Sequence, residues 1–562
     1  MRFDWIQFFF FAACLIALTP LLGGYIARVF SKNAVFAQRL FGWLESCCYR
    51  VGGVDPTIEM TWQQYGKALL LFNLFGFFTL VLLQRIQAYL PLNPQHFEAV
   101  PWLLSINTAI SFTTNTNWQS YAGETTLSYL TQMLGLTSHN FLSAATGMSA
   151  FLVLMRGLTQ KTVDTVGNFW SDLVRMAVYI LLPLSIVLAL LLAWEGVIQT
   201  FSPYVEATTL EGGTQTLPLG PVASQIAIKQ LGTNGGGFFQ ANSAHPFENP
   251  TGLTNWLEML AIVLIPAASV YAYGVMIGSK RHGWLLFNAM LFLWVFGFLL
   301  SFFSEQVHNP LFDAAPLMEG KESRFGVLNS VLWSVSTTAT ANGSVNAMLS
   351  SLSPWAGGAA LFNLMLGELI FGGVGVGLCS MIMFTFLTVF LSGLMVGRTP
   401  EYLGKKIGRR EMQWVMMAVL MPGALVLLGA GFSCVYPEAL SSLSHQGPHG
   451  LSEILYTFAS CAGNNGSAFG GLNTNTDYYN LVLSAVMFMG RMSIILPSLA
   501  VGGLLAKKKT TPFSAGTFST NSFLFFLLLL SVILIVGGLT FFPALALGPF
   551  VEQLLMLKEV SF

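Results

Sequence analysis

The chain has 562 residues, 54% of them hydrophobic and only 9% charged, with 25 Lys and Arg against 25 Asp and Glu. A soluble domain of this size would carry about a quarter charged residues, and the zero net charge leaves no basic face to suggest a nucleic-acid partner. Apolar runs of about 20 residues, long enough to cross a bilayer core, recur throughout, so the chain reads as an all-α polytopic membrane protein whose solvent is lipid.

Windowed hydropathy predicts ten spans, at 6–28, 66–88, 126–155, 172–197, 255–277, 284–304, 360–394, 413–436, 478–505 and 522–545. The first is read as an uncleaved span, because Arg2 is offset by Asp4 and no small-residue cleavage site follows. Orientation follows from Lys and Arg. Arg28, Lys32, Arg39, Arg50 and Lys67 fall on one side, joined by Arg156, Lys161 and Arg175, then Lys280 and Arg281. Arg398, Lys405, Lys406, Arg409, Arg410 and Lys507 to Lys509 complete 18 of the 25 basic residues. The positive-inside rule makes this side cytoplasmic and places both termini outside.

Four uncharged strings stand in alternate loops, all on the opposite side. They are Thr114-Asn115-Thr116-Asn117, then Gly232-Thr233-Asn234-Gly235-Gly236-Gly237. The third is Thr338-Ala339-Thr340-Ala341-Asn342-Gly343, and the fourth Gly463-Asn464-Asn465-Gly466, with Cys461-Ala462 leading into it. Each follows an amphipathic stretch of about ten residues, too short to cross, and precedes a long apolar helix. Those short stretches are Trp102–Phe112, Val222–Leu231, Gly326–Thr337 and Leu451–Ser460. A backbone-rich loop between apolar helices is how a cation selectivity filter is built, with carbonyl oxygens replacing the ion's water. The short helices would aim their negative dipole ends at the ion. With no carboxylate inside the strings, a dehydrated monovalent cation, K⁺, is expected over a divalent one.

The strings recur roughly every 105 to 125 residues, and every unit runs helix, short helix, loop, helix in the same direction. That predicts a pseudo-fourfold pore, whereas inverted repeats would alternate loop sides. The expected division is 1–60 for a flanking span and cytoplasmic loop, then repeats at 61–165, 166–280, 281–410 and 411–510, and 511–562 for the last flanking span. Glu124, Glu248, Glu319 and Glu322 are placed near the outer mouth, where carboxylates attract cations.

The seventh span needs more length than one crossing, because residues 355–397 are nearly all apolar. Glu368 stands near its middle, followed by Gly372, Gly373, Gly375 and Gly377, and each helical glycine costs about 1 kcal/mol relative to Ala. A broken helix beside the ion path is expected, since irregular backbone at membrane depth must be buried or line water. Arg491 lies inside the ninth span, where an Arg faces a cavity or a partner such as Glu368. Glu368, the four glycines, Arg398 in the basic segment 397–410 and Arg491 are the candidate gating and coupling residues. The six cysteines, Cys14, Cys47, Cys48, Cys379, Cys434 and Cys461, show no metal spacing.

Longer strings carry a resemblance. They are Phe112 to Tyr121 (FTTNTNWQSY), Gly123 to Tyr129 (GETTLSY), Leu231 to Phe239 (LGTNGGGFF) and His245 to Pro250 (HPFENP). Met318 to Gly326 (MEGKESRFG), Gly397 to Lys406 (GRTPEYLGKK) and Asn464 to Phe469 (NNGSAF) extend it. Through these the chain resembles, over essentially its whole length, the KdpA family, the potassium-binding subunits of the bacterial Kdp potassium-transporting ATPase. Ala341-Asn342-Gly343 departs from the family's pattern, in which a Ser-Cys-Gly-like string is frequent, but keeps the glycine. The resemblance implies a channel-like subunit of the bacterial inner membrane, partnered by the P-type ATPase subunit KdpB, by KdpC and by the small single-span KdpF. It implies that K⁺ enters the filter from outside and passes through a protein tunnel to the pump subunit. K⁺ is then the transported ion and no organic cofactor is expected. ATP hydrolysis is expected elsewhere, because the chain has no Asp-Lys-Thr-Gly-Thr string and none of its Gly-Lys pairs, at Lys67, Lys321 and Lys405, is followed by Ser or Thr. A stand-alone K⁺ channel or symporter of Trk/Ktr/HKT type is the alternative, and same-sided loops argue against an organic-solute transporter.

Overall fold

Ten helices among the described residues are long and apolar enough to cross a membrane. They run Asp4–Phe30, Trp62–Tyr89, Thr131–Thr159, Phe169–Trp194, Gly252–Met276, Lys280–Glu305, Val376–Met395, Arg409–Ser433, Asp477–Ala506 and Phe523–Leu557. The structure is a computed structural model that describes residues 2–31, 36–310, 316–395, 397, 399–511 and 519–560. Arg398 and Lys32 lie outside the described residues. The only strands among those residues form two small antiparallel hairpins, Val205–Thr208 with Thr214–Leu217 and Glu401–Tyr402 with Lys405–Lys406.

Local chemistry starts several of these helices. Thr61 caps the second span in a reciprocal box with Gln64, and Thr251 does the same for the fifth with Thr254. Thr476 and Ser522 accept from the first-turn amides of the ninth and tenth. Each side-chain cap satisfies one of the four amides that a helix start leaves without partners.

Burial follows the fourfold pattern. In the third, fifth, seventh and ninth spans, 83%, 78%, 78% and 67% of the most apolar stretch is buried. In the second, fourth, sixth and eighth the values are 28%, 44%, 56% and 33%. The helix after each loop therefore stands inside, and the helix before it faces outward. The two flanking spans lie outside this arrangement. The first packs on the fifth and sixth, with Gly23 against Ala268 and Phe8 stacked on Phe298 at 4.2 Å. The tenth packs on the stretch that leads into the seventh, where Gly537 meets Leu366 and Trp355 meets Phe550 edge-on at 4.5 Å.

The basic loops meet one another. Met60 N–H donates to Gly167 O at 2.7 Å, and Val163 N–H to Ala506 O at 3.1 Å. Lys405 Nζ donates to Gly157 O and Leu505 O, both at 2.7 Å, and to Gln160 O. His282 Nε2 reaches the Tyr402 hydroxyl at 2.6 Å. The loops that hold the four strings gather separately, with Gln119 bonded to Gly237, Ser120 to Thr474, and Arg324 to Asn249 O and Ala244 O.

The stretch 355–397 is two helices. Pro354–Met365 ends with Leu366 as its cap, residues 366–375 form an irregular segment, and Val376–Met395 completes the crossing. Gly367, Phe371, Gly372 and Gly375 take φ of 73°, 63°, 64° and 78°. Three of the four are glycines because a side chain there is strained.

Candidate functional site: a ring of four loops beside a buried ion pair

Four short helices lead into the loops: Trp102–Thr113, Val222–Leu231, Gly326–Ala339 and Gly447–Ala462. Three run further than the sequence suggests, the first by Thr113 alone and the third and fourth by two residues each, so Thr338, Ala339, Cys461 and Ala462 belong to helix rather than loop. The reason is local. Thr338 Oγ1 donates back to Ser334 O at 2.7 Å and Ala is the best helix former, so nothing ends those helices until the next residue.

Loops one, two and four share one backbone path. Thr114, Gly232 and Gly463 cap their helices by donating to Ile110 O, Ile228 O and Ala459 O. Asn115, Thr233 and Asn464 then take φ of 64°, 50° and 50°. The amides of Thr116, Asn234 and Asn465 turn back to Ser111 O, Lys229 O and Ser460 O at 2.8 to 2.9 Å. Asn117, Gly235 and Gly466 are again left-handed, at 53°, 82° and 96°. The third loop differs. Its cap, Thr340, is extended at φ −101°, ψ 160°, and Ala341 does not enter the left-handed region that Asn tolerates; only Gly343, at 88°, keeps the pattern.

The loops close into a ring through their amides. Asn115 Nδ2 donates to Thr233 O at 2.7 Å, joining loops one and two. Asn342 Nδ2 donates to Lys229 O at 3.3 Å, joining three to two. Asn465 Nδ2 donates to Thr337 O and Thr340 O at 2.6 and 2.9 Å, joining four to three. Asn464 Nδ2 donates to Thr116 Oγ1 at 2.9 Å, joining four to one. Sequence neighbours are thus neighbours in space, all the way round.

Close packing of backbone repeats with the same order. A Cβ on Gly235 would overlap the carbonyl oxygen of Asn342, one on Gly343 that of Asn465, and one on Gly466 that of Thr116. Three left-handed glycines therefore sit against the carbonyls of the next loop. Asn117 Oδ1, Asn234 Oδ1 and Asn464 Oδ1 are buried with no hydrogen-bond partner among the described residues. Buried oxygens without donors are costly and uncommon.

Two buried carboxylates beside the ring, Glu368 and Glu248, are paired with cations. Glu368 in the break of the seventh span accepts from Arg491 Nη1 at 3.0 Å, and its other oxygen accepts from Gly373 N–H at 3.0 Å. Both side chains are buried. The same segment touches the ring: Val374 N–H donates to Thr233 Oγ1 at 3.0 Å, and Gly372 N–H to Ala339 O at 3.1 Å. A Cβ on Gly377 would overlap Phe371 O, and one on Gly375 would come within 2.6 Å of Gly147 O in the third span. Glu368, Gly372, Gly373, Gly375, Gly377 and Arg491 are therefore gathered in one place.

Glu248 corrects an expectation. It is not a surface carboxylate at the mouth but fully buried, with Lys229 Nζ at 2.7 Å. Lys229 also donates to Asn242 Oδ1 and Ser243 Oγ, and Glu248 accepts from Phe239 N–H. Charge and hydrogen bonds satisfy a pair that burial alone would penalise. Lys229 is the residue sequence reasoning passed over, although a single Lys in an otherwise uncharged short helix was its signal. Glu124 is half-buried and accepts from Gln240 N–H; burial raises its carboxyl above the usual range. Glu319 is exposed, and Glu322 pairs with Arg324 at 3.1 Å.

Ten spans, a fourfold arrangement of inner and outer helices and a ring of backbone-rich loops define a membrane protein of the cation-transporter architecture. The solved potassium transporter TrkH from Vibrio parahaemolyticus has a similar fold, with a TM-score of 0.53 at 14% identity over 88% of this chain and 98% of that one. The family model for the potassium-transporting ATPase A subunit, KdpA, matches residues 9–554, and the chain belongs to that family. It is 51% identical to the potassium-transporting ATPase potassium-binding subunit of Leptospira interrogans serovar copenhageni, over 100% of both chains. It is 53% identical to the subunit of that description from Rhodospirillum centenum, over 99% of this chain and 98% of the other. Members of this family are non-catalytic subunits of an ATP-driven potassium transporter, whose catalytic activity lies in a partner subunit.

Proposed function

We propose that the ring is a K⁺ selectivity filter, formed by Thr114 to Asn117, Gly232 to Gly235, Thr340 to Gly343 and Gly463 to Gly466. The observation that carries this reading is the closed ring of loops packed glycine against carbonyl. Backbone carbonyl oxygens are what replaces the water of a dehydrated cation. Four short helices end at the loops, so their partial negative charge favours a cation. The nearby carboxylates Glu248 and Glu368 are neutralised by Lys229 and Arg491, which leaves selection to neutral oxygens.

The ion enters from the outer face of a bacterial inner membrane and leaves sideways. The segment 366–375, with Arg491 as a fixed positive charge, obstructs a straight path and diverts K⁺ to a P-type ATPase partner, KdpB. KdpC and the small single-span KdpF complete the complex. Transport by this chain calls for no organic cofactor, and K⁺ is its cargo.

The test is ATPase activity of the complex co-purified with this chain. K⁺, and not Na⁺, is expected to stimulate hydrolysis, and Gly343→Ala is expected to raise the K⁺ concentration needed. Isolation of the chain with no ATPase partner and passive K⁺ flux through it alone would instead favour a stand-alone channel or symporter.

A further inference from the structure

We propose that His445, His449 and Glu453 form a binding site for a divalent transition-metal ion of the zinc class, away from the loop ring. The three residues offer ligand atoms that all lie within 4.8 Å of one another. His449 and Glu453 are one helical turn apart on the fourth short helix, Gly447–Ala462, and His445 stands just before it. That spacing puts both helical side chains on one face.

The donor set fits zinc. Glu453 Oε1 lies 2.6 Å from His445 Nδ1 and 4.0 Å from His449 Nε2. Ligand atoms held about 2.1 Å from a tetrahedral ion stand roughly 3.4 Å apart, so the present separations bracket what the ion requires. Glu453 is fully buried, and its second oxygen, Oε2, has no hydrogen-bond partner among the described residues. A buried carboxylate with an unused oxygen invites a cation. Gly471 keeps the space open, because a Cβ there would overlap Glu453 Oε1 and come within 2.9 Å of His445 Nδ1.

Outer contacts orient the ligands. His449 Nδ1 bonds Glu552 Oε2 at 2.9 Å, and Glu552 also accepts from Ser452 Oγ. A proton held on Nδ1 by that carboxylate leaves Nε2 with a free lone pair toward Glu453. A carboxylate behind a ligating imidazole is the usual supporting partner in zinc sites. Access exists on two sides: His445 is 48% exposed, and His449 and Glu552 line a cavity of about 400 Å³. A bound ion would tie His445, before the fourth short helix, to that helix, with Glu552 of the last span supporting His449 from behind.

Zn²⁺ titration of the chelator-stripped, intact complex against a chromophoric competitor is the test. One chelator-competing equivalent is expected that His445→Ala weakens at least tenfold. Glu552→Gln, a change behind the ligands, is expected to weaken it by about 10- to 100-fold. Co²⁺ in place of Zn²⁺ should give the visible absorption of a four-coordinate site, absent in His445→Ala. His445 is half-exposed, so its variant should elute as a monodisperse complex even where His449→Ala does not. Equal Zn²⁺ uptake by wild type and His445→Ala, or no equivalent that survives competition in wild type, would overturn the site.

Discussion

Arg491 of the ninth span and Glu368 of the break in the seventh are bonded at 3.0 Å, both buried, although 123 residues separate them. The pair joins the last repeat to the third at the point where the irregular segment touches the ring. Arg491 also approaches Ser143 O at 3.5 Å and so reaches the third span.

Removing one partner strands the other charge, which costs about 3–5 kcal/mol in a buried pair. Arg491→Gln is expected to lower the melting temperature of the detergent-solubilised complex and to increase passive K⁺ flux in liposomes without ATP. Glu368→Gln combined with Arg491→Gln should recover part of the thermal loss, because no lone charge remains. A single variant that melts and holds K⁺ like wild type would show that the pair neither braces nor blocks.

The ring glycines should differ in tolerance. Gly343 has φ 88° and faces the Asn465 carbonyl, so Gly343→Ala combines backbone strain of about 1–2 kcal/mol with overlap. Gly232 has an ordinary φ of −79° and meets Asn234 Oδ1, an atom at the end of a side chain. Gly232→Ala is therefore expected to be milder than Gly343→Ala in apparent K⁺ affinity. Gly232→Asp, which adds a charge, should weaken discrimination of K⁺ from Rb⁺ and NH₄⁺. K⁺-stimulated ATPase measured across ion concentrations ranks the three; the reverse order would remove Gly343 from the ion path.

Single cysteines in a variant lacking the six native ones test the sidedness. Gln240→Cys and Ser441→Cys, both exposed near the ring loops, should react with an impermeant maleimide in intact cells. Lys280→Cys and Lys509→Cys, exposed on the basic side, should react only after permeabilisation. Ser243, an obvious choice from sequence, is unsuitable because it is buried against Lys229 and Glu258. Labelling of Lys280→Cys from outside would invert the orientation.

His245 links the loop after the second string to pH. Its ring stacks on Phe239 at 4.0 Å and its Nδ1 accepts from Phe247 N–H at 3.1 Å. Burial, aided by Arg324, holds its pKa below the ordinary 6.5. The unfolded loop then binds more protons than the folded one below about 6.5, so stability falls as pH drops through that window. Protection factors of the amides in residues 238–250, corrected for the intrinsic slowing of exchange in acid, should fall as pH drops from about 6.5 to about 5, and His245→Gln should flatten that dependence. Equal pH dependence in the variant would assign the effect to other groups.

The spans were readable in the sequence because crossing a bilayer fixes length and polarity at once. The short helices were readable because each stands between a polar loop and a glycine- or asparagine-rich stop. The break in the seventh span announced itself through excess length and clustered glycines, and Glu368 could be matched to Arg491 because each needs an opposite charge in lipid. Lys229 and Glu248 could not be matched so easily. Their contact depends on the turn at Asn242 and Ser243, which hydropathy does not encode. The third loop's separate path was hinted at only by Ala341, where Asn or Thr occupies the equivalent left-handed position. The ends of the third and fourth short helices ran on because Thr and Ala inside a polar string still bond as helix.

One chain, rather than four identical ones, encloses the ring, and this changes what a single substitution can do. In a homotetramer every mutation strikes all four quarters at once, so a quarter cannot drift alone. Here Thr340 and Ala341 have left the shared path while Gly343 has stayed on it. Each quarter can thus specialise: one to receive the irregular segment through Ala339, another to carry the Lys229 brace, a third to hold Thr116 for Asn464. Division of labour among near-copies is the freedom that gene fusion confers and symmetric assembly denies.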